Sequence, residues 1–79
     1  MLTVEALKAH TQTEVARSRD GCLLLTPAVK LRCIHADGPC TIGTIVFAEV
    51  VDESGPYANT VHLRDQAFWW PIWLFELAQ

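Results

Sequence analysis

Residues 42–51, IGTIVFAEVV, decide the fold class of this chain. Their β-branched and aromatic side chains pack well on a pleated, half-buried surface. Gly43, near the start of the segment, is typical of a bulge or of a close backbone approach. We therefore predict a strand over residues 42–51.

Turn signals bound this segment on both sides. Upstream, residues 35–39 read HADGP, and before them residues 29–34 alternate between two faces with the period of a half-buried strand. A short apolar run at residues 23–25 is stopped by Pro27. Downstream, residues 52–56 read DESGP and predict a second turn.

The C-terminal part continues the same pattern. Residues 57–63 predict a further strand, residues 64–66 a turn, and residues 68–70 a short strand ended by Pro71. A single 3₁₀ turn is expected at residues 72–74, and residues 75–77 close the chain. Four or five short strands at roughly ten-residue spacing predict a mainly β fold, a small barrel of about five strands.

The N-terminal part predicts an α-helix over residues 3–19. Thr3 is the expected N-cap, Glu5 lies in the first turn, and Gly21 follows the last turn. The apolar stripe of this helix is thin, so we expect the helix to rest on the barrel rather than build the core. The chain is thus interpreted as one domain, residues 1–79, with a helix at 3–19 and a barrel at 22–79.

Composition and charge narrow the class of function. Of the 79 residues, 51% are hydrophobic and 19% are charged, which argues against intrinsic disorder. Six basic residues stand against nine acidic ones, for a formal net charge of −3. A protein that binds phosphates usually carries a clustered basic surplus, so nucleic acid and other acidic partners are disfavoured.

Three cysteines, Cys22, Cys33 and Cys40, form an odd set. Secreted domains of this size usually pair their thiols, and no secretory leader is seen at the N-terminus. The longest apolar stretch, residues 68–75, is far shorter than the ~20 residues that cross a bilayer. We expect reduced thiols in a cytoplasmic protein without a membrane segment.

Residues 28 to 77 resemble small SH3-like proteins that are common in phages and prophages. The resemblance rests on VKLRCI at 29–34, the Asp-Gly turn, TIGTIVF at 41–47 and WWP-x-x-x-FE at 69–76. Thr44 stands where that family usually has lysine, and Val46-Phe47 replaces its customary tyrosine. The resemblance implies an SH3-like barrel, and most members of the family have no assigned activity.

A second likeness is to the plasmid-borne, trimethoprim-resistant dihydrofolate reductase, also a single SH3-like barrel of similar length. That family builds its active site at the centre of a tetramer with a Val-Gln-Ile-Tyr segment. Residues 67–70 read AFWW here, so the polar residue that would face the ligands is missing. The difference argues against this activity.

The aromatic residues near the C-terminus are the most informative feature for function. Trp69 and Trp70 are neighbours on a predicted strand and must point to opposite faces, so only one can enter the core directly. The N-terminal helix, a second subunit or a binding partner would cover the other. Tyr57, Trp69, Trp70 and Trp73 are the predicted partner-binding residues, because Trp and Tyr dominate interface energetics.

Metal binding and catalysis are weaker interpretations. Cys33, His35 and Cys40 are candidate zinc ligands with irregular spacing, and Cys22 or His62 would have to supply a fourth. The alternative is that the cysteines are small buried hydrophobes and His35 is a loop residue. Cys40 is the best candidate nucleophile, but no recognisable catalytic motif accompanies it. We predict no metal, no cofactor and no enzymatic activity.

The leading hypothesis is a non-enzymatic protein-binding module from a phage or mobile element that inhibits or modulates a host protein. One alternative is a nucleic-acid-binding SH3-like module that uses Lys30, Arg32 and Arg64 as phosphate contacts. The other is a small oligomeric enzyme related to the plasmid-type reductase. An open barrel leaves edge strands that can pair with a second copy, so the sequence is compatible with both a monomer and a homodimer.

Overall fold

The strands of the computed structural model are connected in a simple antiparallel order. The structure describes residues 1–17 and 19–78; Ser18, inside the predicted helix, and Gln79, at the end of the predicted domain, lie outside the described residues. The elements in chain order are α1 (Val4–Ala9), β1 (Gln12–Val15), β2 (Cys22–Cys33), β3 (Ile45–Asp52), β4 (Thr60–Leu63), β5 (Trp69–Pro71), a 3₁₀ turn (Ile72–Leu74) and β6 (Phe75–Leu77).

The mainly β prediction is confirmed, with six strands in one antiparallel sheet. The strands pair in the order β1-β2-β3-β4-β5, and β6 returns to pair with β2. Among the described residues no ladder joins β5 to β1, so the sheet is not closed into a barrel. The predicted 3₁₀ turn at residues 72–74 is confirmed.

Strand β2 organises the sheet because it has three partners. Its first half pairs with β1, both halves pair with β3, and its end at residues 31–33 pairs with β6. The prediction that Pro27 stops a strand is wrong, since β2 runs through it. The register with β3 shifts between Leu24 and Val29, and such an irregularity accommodates a residue without an N–H.

The predicted helix over residues 3–19 is wrong beyond Ala9. Thr3 is the N-cap as predicted, and its Oγ1 accepts a 3.1 Å hydrogen bond from the Ala6 N–H. The helix ends after six residues, and Gln12–Val15 form an edge strand against residues 23–26 of β2. This stretch contains the β-branched residues Thr13 and Val15, which suit a strand, and its backbone pairs with β2.

The short helix contributes to the core, contrary to the prediction that it only rests on the sheet. Leu7 is fully buried, and Leu2 and Val4 are nearly so. They belong to one hydrophobic cluster with buried residues of β2, β3, β4, the 3₁₀ turn and β6, namely Leu25, Val29, Leu31, Cys33, Ala48, Val51, Val61, Leu63, Ile72, Leu74 and Phe75. The core is therefore built from side chains of both α1 and the sheet.

Candidate interaction surface

The two neighbouring tryptophans of β5 point to opposite sides of the sheet. Trp70 lies opposite the fully buried Val61 and packs against the core, whereas Trp69 lies opposite His62 on the outer side. The His62 and Trp69 rings are 5.4 Å apart between centroids and tilted by 59°. Neither indole is fully enclosed, so Trp69 presents part of its ring on the outer face.

Arg19, from the β1–β2 loop, covers Trp69. Its guanidinium carbon lies 4.5 Å from the Trp69 ring centroid and 4.9 Å from that of Tyr57. Both distances are within the range in which a cation is attracted to an aromatic ring. Arg19 is the last residue of the predicted helix; the structure instead places it in a loop, with its guanidinium against two rings.

Asp52 holds the loop that carries Tyr57. Its side chain is fully buried, Oδ1 accepts a 2.6 Å hydrogen bond from the Gly55 N–H, and Oδ2 accepts one of 3.1 Å from the Tyr57 N–H. Oδ2 also lies 3.9 Å from Nη2 of Arg19. The β3–β4 loop, where the sequence predicts a turn, therefore folds over the Asp52 carboxylate.

Glu53 and Ser54, the two residues after Asp52, fix the β3–β4 loop to other parts of the chain. The Gly21 carbonyl accepts hydrogen bonds from the N–H groups of Glu53 and Ser54, at 2.8 and 3.2 Å. Glu53 also accepts a 2.7 Å hydrogen bond from Nζ of Lys8 in α1. This contact raises the pKa of the Lys8 ammonium above its ordinary value. The β3–β4 loop is thus tied to both the β1–β2 loop and the helix.

Two open grooves meet at Trp69. One, of about 310 Å³, is lined by Ala16, Arg19, Cys22, Leu24, Val50, His62 and Trp69. The other, also about 310 Å³, is lined by Tyr57, Thr60, Ala67, Phe68 and Trp69. Tyr57 is 61% exposed and Phe68 is 71% exposed. We call Tyr57, Phe68 and Trp69 the aromatic face.

The four predicted partner-binding residues do not share one surface. Tyr57 and Trp69 lie together beside Arg19, while Trp70 faces the core. Trp73 is 45% exposed and packs edge-on against His35, with ring centroids 5.1 Å apart. It also lines a separate groove with the N-terminal residues 1–3. Phe68 was not among the predicted site residues, although its place in the aromatic run was a usable signal.

The candidate zinc ligands are not assembled as a metal site. Cys33 is buried, and its thiol donates to the carbonyl oxygens of His35 and Cys40, at 3.2 and 3.4 Å. The His35 ring instead lies against Trp73. Within residues 1–17 and 19–78, no three His, Cys, Asp or Glu side chains are placed to hold a metal ion together.

The thiols of Cys22 and Cys40 are not activated by their surroundings. Burial raises the pKa of the Cys40 thiol, and a hydrogen bond with the Cys33 thiol raises it further. Burial and the negative charge of Asp52 raise the pKa of the Cys22 thiol, although Arg19 opposes this. Less thiolate is therefore present at neutral pH than for an ordinary cysteine.

The basic residues proposed as phosphate contacts have acidic neighbours. Nη1 of Arg32 lies 2.7 Å from Oε2 of Glu76, and Nε of Arg64 lies 3.5 Å from Oε2 of Glu49. The Arg64 guanidinium also stacks on Phe47, with 4.8 Å to the ring centroid. Lys30, the third predicted contact, lies in β2 opposite Phe47 of β3.

In the part of the chain that the structure describes, no helix combines the length and apolarity needed to span a membrane. The chain matches no protein-family model, and no curated protein or solved structure is significantly similar to it.

Proposed function

We propose that this chain is a non-enzymatic protein-binding module, built on an SH3-like barrel of the kind found in phages and mobile elements, that inhibits or modulates a host protein. The observation that carries the proposal is the aromatic face. Three large rings stand together on one outer surface, two of them mostly exposed and the third between two grooves. Such residues supply most of the binding energy when a partner seats on them.

The connectivity supports the SH3-like part of the proposal. Strands β2 to β5 form a meander, a single 3₁₀ turn follows β5, and β6 then returns to the end of β2. This order agrees with the sequence resemblance, whose terminal WWP-x-x-x-FE motif spans β5, the 3₁₀ turn and the start of β6. The phage origin and the cytoplasmic location rest on the sequence alone and stay predictions.

The nucleic-acid alternative has less support. Two of its three proposed phosphate contacts, Arg32 and Arg64, are neutralised by carboxylates within the chain, and the net charge is −3. Phosphate binding would have to break these pairs before releasing counterions from the nucleic acid. The reductase alternative gains no support, since Phe68, which is 71% exposed, stands where the segment of that family has glutamine.

The test is capture of a bacterial host protein by the purified chain, followed by a binding measurement with that protein isolated. Phe68→Ala and Tyr57→Ala should each weaken binding at least tenfold. Their free energies of unfolding should stay within about 0.5 kcal/mol of that of the unmodified chain, because both rings are mostly exposed. Ile42→Ala is the matched control, since Ile42 is 64% exposed but lines a different groove. Equal affinity of all four proteins would refute the proposal.

Self-association is a secondary proposal. Strands β1 and β5 end the pairing path of the described residues, and all four residues of β1 are exposed. A free edge of this kind can pair with a second copy. Light scattering at several protein concentrations distinguishes a dimer from a monomer.

A further inference from the structure

The slot between the Tyr57 and Trp69 rings holds a cation, and the chain itself provides that cation. The Arg19 guanidinium lies within 5 Å of both ring centroids, and the buried carboxylate of Asp52 lies behind it at 3.9 Å. Two ring faces and a negative charge together form an arrangement selective for a flat, weakly hydrated cation. A guanidinium meets this description better than an ammonium.

Arg19 is held in this slot only loosely. Its closest carboxylate distance of 3.9 Å is longer than a hydrogen bond, and its side chain is 26% exposed. The backbone around it is anchored separately, by the Arg19 carbonyl accepting from the Cys22 N–H at 3.4 Å and by the Gly21 carbonyl contacts. The side chain can therefore rotate out of the slot without unfolding the β1–β2 loop.

The slot also lies where the proposed partner would bind. Trp69 forms one wall of the slot and of both grooves, and Tyr57 belongs to the aromatic face. A partner that seats on Phe68 and Trp69 brings its own side chains to the edge of the slot. The net charge of −3 and the position of Asp52 favour a basic side chain there.

We propose that the slot formed by Tyr57, Trp69 and Asp52 receives the guanidinium of an arginine from the partner protein, and that Arg19 occupies it until that arginine replaces it. The inference rests on the proposed protein-binding function and adds the chemistry of the ligand. Arg19 acts as a tethered competitor, so it lowers the apparent affinity of the slot for any free guanidinium.

The slot can be tested without knowing the partner. The probes are N-acetyl-arginine amide and its neutral isostere N-acetyl-citrulline amide. The binding of each probe is measured from the NMR signals of the indole N–H groups. Arg19→Ala should bind the arginine probe at least tenfold more tightly than the unmodified chain, and its melting temperature should rise with the arginine probe only. Arg17→Ala, a change at an exposed arginine two residues away, should behave like the unmodified chain.

Two further variants make the result decisive. The double variant with Arg19→Ala and Trp69→Ala should lose the increased affinity for the arginine probe. If Arg19→Ala does not fold, Arg19→Gln, which keeps most of the side-chain stem, replaces it in the experiment. Equal binding of both probes, or equal affinity in the Arg19 and Arg17 variants, would overturn the slot. If the slot fails while Phe68→Ala still weakens partner binding at least tenfold, only this inference is lost. If neither Phe68→Ala nor Tyr57→Ala weakens partner binding, the proposed function is lost.

Discussion

The backbone of Gly21 lies against the backbone of Gly55, and this approach joins the loop that carries Arg19 to the loop that carries Tyr57. A Cβ on Gly21 would lie 2.4 Å from the Gly55 nitrogen, and the φ angle of Gly21 is +82°. No L-residue with a side chain fits such a position without moving one loop away from the other. The placement of Arg19 against Trp69 therefore depends on a glycine two residues later in the chain.

We expect Gly21→Ala to destabilise the fold by about 2–4 kcal/mol, from the positive φ and the backbone clash together. The matched control is Gly43→Ala, since Gly43 has a φ of +91° but nothing within 4 Å of the added Cβ. This control should lose only about 1–2 kcal/mol. Urea denaturation measures both, and equal losses would contradict a clash between the loops.

Asp52→Ala should cost about 3 kcal/mol, because it leaves the N–H groups of Gly55 and Tyr57 without their buried acceptor. Asp52→Asn should cost less than Asp52→Ala, since its single carbonyl oxygen can still accept from one of the two N–H groups, although it carries no charge. Asp37→Ala, at an exposed position, is the control and should change stability by less than about 0.5 kcal/mol. A loss as small as the control's would show that the loop does not need the carboxylate.

The two tryptophans should respond differently to truncation. Trp70→Ala removes a ring packed on the core and should cost about 3 kcal/mol, whereas Trp69→Ala should cost about 1–2 kcal/mol and weaken partner binding. Trp70→Phe should be tolerated better than its loss of area suggests, because Nε1 of Trp70 is buried without a hydrogen-bond partner among the described residues. Thermal denaturation of the three variants ranks these losses, and the reverse order for Trp69 and Trp70 would contradict the assignment of faces.

Alkylation of the thiols should be slow at neutral pH and accelerate in alkaline solution. The pKa values of Cys22 and Cys40 are raised, mainly by burial. Their thiolate fractions therefore stay small until the pH rises above the pKa of an ordinary cysteine. Iodoacetamide labelling followed by mass spectrometry, with N-acetylcysteine amide in the same tube, measures the relative rates. If Cys40 were labelled faster than N-acetylcysteine amide at pH 7, its thiol would be activated, and the hypothesis that Cys40 is a nucleophile would be supported.

Local features of the fold were predictable where the signal lay within a few residues. The Thr3 cap and the 3₁₀ turn at residues 72–74 are of this kind, and both are confirmed. The prediction of a helix over residues 3–19 is wrong after Ala9, because residues 12–15 pair with β2 instead of continuing the helix. Asp52 carried a local signal too, because an aspartate three residues before a glycine is typical of a turn whose side chain accepts the loop's N–H.

The strand alternation of neighbouring residues alone required Trp69 and Trp70 to face opposite ways, because that alternation is a property of any extended backbone. Which group covers Trp69 was decided only by the tertiary structure. Arg19 and Trp69 are fifty positions apart in the chain and meet because Gly21 and Asp52 hold two loops together. Contacts of this kind depend on backbone approach across the sheet, which no short window of sequence encodes.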